Sequence, residues 1–258
     1  MEESIPGRVV AQDRGVSRLV TSIGEISATV GAGLRREAAD RTELPSIGDW
    51  VAVRPAGDTW SIVEVLPRQT AFVRKAAGAR AEPQVVAANV DTVFLVTGLD
   101  GDFNLRRIER YVAVAHASGA RPVVVLNKAD VCDRLDEVIA SVRSRSGGAQ
   151  TVAMSARNDD PESVLAPWLS AGETVALIGS SGVGKSTIAN RLLGGEVLRT
   201  GAVREHDQRG MHTTTRRELV MLPGGAMLID TPGMRELSVW TDEESIRAAF
   251  DDVAEVAA

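Results

Sequence analysis

One stretch constrains this chain more than any other: Gly179-Ser180-Ser181-Gly182-Val183-Gly184-Lys185-Ser186-Thr187. It satisfies G-x-x-x-x-G-K-[ST] in full, follows the apolar run TVALI and precedes the helix-forming STIANRLL. Glycines in such a loop let successive backbone N–H groups wrap phosphate oxygens at a helix N-terminus, where the helix dipole favours anions. The pattern therefore assigns Gly179–Thr187 to a phosphate loop on an α/β sheet. Lys185 is expected to reach the β- and γ-phosphates, and Ser186 to ligate Mg²⁺.

A second pattern says which nucleotide. Asn127-Lys128-Ala129-Asp130 closes the apolar run PVVVL. The Asp130 carboxylate can accept both the ring N1–H and the exocyclic N2–H₂ of guanine, a donor pair that adenine lacks. Lys128 can lay its stem over the base, and Asn127 can orient the loop and meet the base edge. Ser155-Ala156 ends the next run, TVAMSA, where a backbone N–H can bond the guanine oxygen. Ligands of open α/β sheets bind at the C-terminal ends of strands, which is where all three segments fall. An ATPase or kinase conflicts with the Asn127–Asp130 pattern.

The γ-phosphate side lies further on. Asp230-Thr231-Pro232-Gly233 closes the run AMLI, which puts Asp230 near Mg²⁺ through water and the Gly233 N–H at the γ-phosphate. Between this segment and the phosphate loop, Gly201–Arg217 (GAVREHDQRGMHTTTRR) is polar and too long for a simple turn, so it reads as a switch loop. One of Thr213, Thr214 and Thr215 completes the Mg²⁺ shell, with Thr214 the candidate. Met234 follows Gly233 and cannot orient a water. His212 is the candidate for that task, Arg209 a weaker source of positive charge. Catalysis is thus expected from Lys185, Thr214 and His212, with slow intrinsic turnover that a partner accelerates.

Composition supports this without adding to it. The chain has 258 residues, 44% hydrophobic and 25% charged, as an ordinary globular protein does. Its net charge of −6 does not announce nucleic-acid binding. Only three lysines occur beside 26 arginines, and Lys128 and Lys185 both fall in the nucleotide motifs. That placement suits a slim stem and a point charge. Cys132 is the single cysteine, which excludes an intrachain disulfide and a cysteine-rich zinc site. No apolar run approaches the ~20 residues needed to span a membrane. A cytoplasmic location and no membrane partner are expected.

The first 70 residues differ in texture. GRVVAQ, SRLVTSI, EISATV, DWVAVRP and TWSIVEVL read as short strands punctuated by Gly and Pro, which suggests a small barrel or sandwich. Leu34–Glu43 is a barrel loop or a short helix, and residues 71–89 read as a connector. Beyond it, apolar runs alternate with helical stretches at Leu105–Ser118, Leu135–Arg145, Glu162–Leu169 and Lys185–Leu193. This alternation argues for a mostly parallel sheet with helical crossovers. The expected division is 1–71 for the barrel, 72–240 for the nucleotide domain and 241–258 for the start of a truncated C-terminal region.

The motifs stand in a permuted order, with the guanine reader (127) ahead of the phosphate loop (179) and Asp230–Gly233 last. Together with TAFVRKAAG, NVDTVFLVTGLDGDFNLRRIERY, GSSGVGKST, RGMHTTT and DTPGMREL, this order closely resembles the ribosome-biogenesis GTPases of the RsgA/YjeQ type over nearly the whole chain. The resemblance implies an OB-fold first domain and a circularly permuted GTPase domain. It also implies GTP hydrolysis to GDP stimulated by the small ribosomal subunit, contact with its rRNA, and a role in late maturation. That family carries a C-terminal zinc module with Cys and His ligands. The chain stops at AFDDVAEVAA, about where the module would begin, and has no ligand set for zinc. A monomer is expected. The competing expectation, from another class, is a nucleotide-gated RNA-binding module in which hydrolysis hardly matters.

Overall fold

The computed structural model describes residues 4–75, 82–101, 103–195 and 217–230. Alternating apolar residues near the N-terminus form five strands: β1 (Ile5–Asp13), β2 (Val16–Thr21), β3 (Gly24–Val30), β4 (Trp50–Ala56) and β5 (Thr59–Val65). Between β3 and β4 the charged segment forms a short helix α1 (Ala32–Glu37) and a 3₁₀ turn over Arg41–Glu43. β1 pairs with β2, β2 with β3, β3 in parallel with β5, β5 with β4, and β4 back to β1. The ring is closed, in the five-stranded order of an OB-type barrel, and closure removes the free strand edges.

Inward-facing Val9, Leu19, Ala28, Val51, Val53 and Ile62 are at most 1% exposed. Each large one contributes ~1.5–3 kcal/mol by leaving water. β1 shifts register between Val9 and Ala11. Such a bulge bends a strand, and here one half of β1 pairs with β4 while Ala11 and Gln12 pair with Glu218 and Arg217 from far along the chain. Arg68 binds the fully buried Asp49 through two bonds of 2.7 Å, and Asp49 also accepts the Ser46 N–H at 2.7 Å.

The described parts of 71–89, residues 71–75 and 82–89, are more ordered than a connector. β6 (Ala71–Lys75) and β7 (Pro83–Ala88) form an antiparallel ribbon. Phe72 and Val85 are buried, and this apolar anchoring outweighs the Pro and Gly content that suggested a linker.

The next unit begins at Asp91. Its strands β8 (Thr92–Gly98), β9 (Arg121–Asn127), β10 (Gln150–Ala153) and β11 (Thr174–Ile178) are parallel, in the order β10-β9-β8-β11. Every residue of β8 is buried, as expected of a strand with a neighbour on each side and both faces covered. Four helices follow these strands in turn: α2 (Leu105–Ala117), α3 (Leu135–Arg145), α4 (Pro161–Leu165) and α5 (Lys185–Leu192). The expected helix over 162–169 is broken, because Pro167 offers no N–H and crowds the preceding turn, so α4 passes into a 3₁₀ turn at Ala166–Trp168. Phe94 meets Trp168 edge-on in the core, ring centres 6.1 Å apart. The last described strands are β12 (Arg217–Met221) and β13 (Met227–Asp230).

Two compact units result. Among the described residues one comprises 4–90 with 217–220 and 229–230, the other 91–195 with 221–228. No helix among the described residues is long and apolar enough to cross a membrane.

Candidate nucleotide-binding site

The phosphate loop leaves the fully buried β11 and enters α5 without a side-chain cap. Its backbone explains its glycines. Gly179 has φ +154°, and a Cβ there would collide with the Val96 carbonyl oxygen of β8. Gly184 has φ +103°, and a Cβ there would collide with the Asn127 amide nitrogen. Gly182 also lies in the left-handed region, at φ +79°. Such angles cost a glycine little and other residues much. Val183 is 1% exposed and pegs the loop into the core, while Ser181 and Gly182 face solvent.

Lys185 folds back over the loop. Its Nζ donates to the carbonyls of Gly179 at 2.6 Å and Ser180 at 2.5 Å. Ser186 and Thr187 follow on the first turn of α5, both half-buried. The loop thus presents one ammonium and two hydroxyls beside backbone amides at a helix start, a surface suited to polyphosphate.

The Asn127–Asp130 segment ends the adjacent part of the same sheet. Asn127, the last residue of β9, is 2% exposed and joins three segments. Its Nδ2 donates to the Val183 carbonyl at 2.7 Å, and its Oδ1 accepts the Ala156 N–H at 2.8 Å. Lys128 then takes a left-handed backbone at φ +62°. Ala129–Val131 forms a 3₁₀ turn that leaves Asp130 exposed. The Ala129 N–H donates to the Met154 carbonyl at 3.1 Å.

Ser155 and Ala156 sit in a tight turn after β10. The Ser155 N–H donates to Asp159 Oδ2 at 2.6 Å, and the Ser155 carbonyl accepts from Asn158 and Asp159. Both expected amide donors of this segment are therefore engaged within the fold. Arg191, on the last turn of α5, donates to the carbonyls of Ala156 at 2.9 Å and Arg157 at 3.1 Å. α5 with its loop and the turn after β10 are thus tied at two points, Asn127 and Arg191.

Asp130, Lys128, Asn127, Ser155, Ala156 and the loop Gly179–Thr187 all lie at or just beyond the C-terminal ends of β9, β10 and β11. His212, Thr213, Thr214, Thr215, Arg209, Gly233 and Met234 lie outside the described residues, as does the side chain of Asp230. Among the described residues no three His, Cys, Asp or Glu side chains cluster as a metal site. Asp100, which pairs with Lys128, and Arg191 stand outside the sequence motifs. Asp100 follows β8 at the same edge of the sheet, so the rule that picked out the other strand ends points to it too. Arg191 carried no such signal, because a helix-surface arginine is ordinary in this composition.

Known proteins resemble this chain along nearly its whole length. The family model for the RsgA GTPase matches residues 65–240. A small ribosomal subunit biogenesis GTPase RsgA of Opitutus terrae is 50% identical, covering all of this chain and 73% of that protein. A second protein of that name, RsgA 2 of Lactiplantibacillus plantarum, is 42% identical over 98% of this chain and 71% of its own length. Among solved structures, YjeQ from Thermotoga maritima superposes with a TM-score of 0.67 over 91% of this chain and 77% of its own, at 24% identity. YloQ, described as a circularly permuted GTPase, gives 0.65 over 98% and 80%, at 20% identity. At those identities the two structures speak for the fold, which has the barrel and permuted order expected from the sequence.

Proposed function

The chain belongs to the RsgA GTPase family, which makes it a GTP hydrolase of small-ribosomal-subunit biogenesis, and from that premise we propose that it binds the small subunit and its rRNA, acts late in maturation and couples hydrolysis to release. The observation that carries the nucleotide half is the Asn127 bridge. One buried amide ties the base-reading segment to the phosphate loop, so guanine and phosphates are recognised by one rigid body. The division of labour is a barrel at 1–71, a GTPase domain at 72–240 and a C-terminal region from 241. The protein works as a cytoplasmic monomer.

In this reading Asp130 accepts from guanine N1–H and N2–H₂, Lys128 covers the base face, and the Ser155–Ala156 turn walls the base pocket. Backbone amides of Gly179–Gly184 hold the phosphates, with Lys185 at the β- and γ-oxygens and Thr187 closing the loop. Magnesium fits the donor set, since the hydroxyls of Ser186 and Thr214 and the water-linked Asp230 carboxylate are hard oxygen donors. When bound, the ion neutralises charge on the β- and γ-phosphates. Gly233 N–H senses the γ-phosphate. His212 orients the attacking water, since Met234 at the position after Gly233 cannot.

The test is GTP hydrolysis with and without purified small subunits. Slow turnover alone and strong stimulation by subunits are expected. GTP binding without stimulation would remove the hydrolysis-release coupling and leave a nucleotide-gated RNA-binding module.

A further inference from the structure

Lys128 is held by a partner outside the nucleotide motifs. Its ammonium forms an ion pair with Asp100, on the segment that follows β8. Three further observations show that the arrangement is built. The Leu99 N–H donates to the Asn127 carbonyl at 2.8 Å, which fixes the end of β8 beside the end of β9. A Cβ on Gly98 would lie 2.7 Å from Asp100 Oδ1, so the carboxylate would have to shift, while Lys128 Cδ at 3.6 Å would be in ordinary contact. The Lys128 backbone is left-handed at φ +62°, a conformation that non-glycine residues keep only where surroundings enforce it.

We propose that Asp100 is a positioning residue for base recognition: it holds the Lys128 ammonium so that the stem is laid out as a platform before guanine arrives. The inference rests on Lys128 covering the base. Lysine is among the side chains with most rotamer freedom to lose, and ordering it beforehand removes that cost from the binding step. The pair is partly exposed, at 33% for the lysine and 41% for the aspartate side chain, so its effect is modest and screened by salt.

The test is titration of the full chain with a fluorescent GDP analogue, together with steady-state GTP hydrolysis. Asp100→Ala is expected to weaken GDP and GTP alike by about fivefold, the upper range for a partly exposed pair. The loss should appear in KM and not in kcat. Asp100→Asn, which keeps an acceptor oxygen of the same size but loses the charge, should recover part of it. In a Lys128→Ala background, Asp100→Ala should have no further effect, and its nucleotide-free melting temperature should match that of its parent. Wild-type affinity in Asp100→Ala, or an equal loss in both backgrounds, overturns the inference while base contact by Lys128 stands. If Lys128→Ala itself binds GDP as the wild type does, base contact fails and the inference falls with it.

Discussion

Asn127 Nδ2 donates to the Val183 carbonyl across 56 positions of chain, at 2.7 Å and shielded from water. Both residues are at most 2% exposed, so neither partner can turn to solvent if the other is lost. Asn127→Ala would leave the Val183 carbonyl and the Ala156 N–H buried and unpaired. An unsatisfied buried group costs ~1–3 kcal/mol. The expected outcome is at least ~10-fold weaker GDP and GTP binding, seen by calorimetry, with a lowered melting temperature even without nucleotide.

Gly184→Ala adds two costs at once. The backbone sits at φ +103°, and the new methyl meets the Asn127 amide. Either the loop or Asn127 must move, so nucleotide affinity should fall below detection by equilibrium titration. Gly195→Ala, where a Cβ meets open space, is the control and should bind as the wild type does.

The barrel holds a different kind of group, the Asp49–Arg68 pair, with Asp49 fully buried. Removing one partner strands a buried charge, at a cost of ~3–5 kcal/mol. Arg68→Ala should lower the denaturation midpoint accordingly. Urea unfolding followed by tryptophan fluorescence checks it.

Asp160 caps α4, and hydrogen bonding from the Ser163 hydroxyl, then from the Ser163 and Glu162 amides, holds its carboxyl below the ordinary 3.8 although burial opposes this. A depressed carboxylate contributes stability above the unfolded value and loses it as pH falls through the folded one. Asp160 should therefore titrate below 3.8 by NMR, and Ser163→Ala should raise it toward that value.

His212→Ala separates chemistry from binding. If His212 orients the attacking water, subunit-stimulated turnover should drop by ~10²-fold or more with GTP affinity intact. Unchanged stimulated turnover would move that role to another group.

Much of the fold was legible because periodicity survives in a single sequence. The strands of the barrel, the four parallel strands and three of the four later helices lie where apolar alternation and helical spacing put them. Pro167 is equally visible in the sequence, and it ends α4 where helical spacing alone predicts a helix over 162–169. The ribbon of β6 and β7 was hidden, since Phe72 and Val85 gain their meaning only from what they pack against. The same limit applied at the site.

The sequence by itself determined the motifs: a glycine-rich phosphate-loop pattern, the Asn127–Asp130 pattern, and the permuted order that identifies the architecture. These are local facts, set by residue type and spacing. Tertiary structure alone decided what holds them together. Asn127 reaching Val183 and Ala156, Asp100 reaching Lys128, and Arg191 reaching the turn at 156–157 join residues 28–56 positions apart. No local periodicity records such partners, because they meet only after parallel strands have aligned their C-terminal ends.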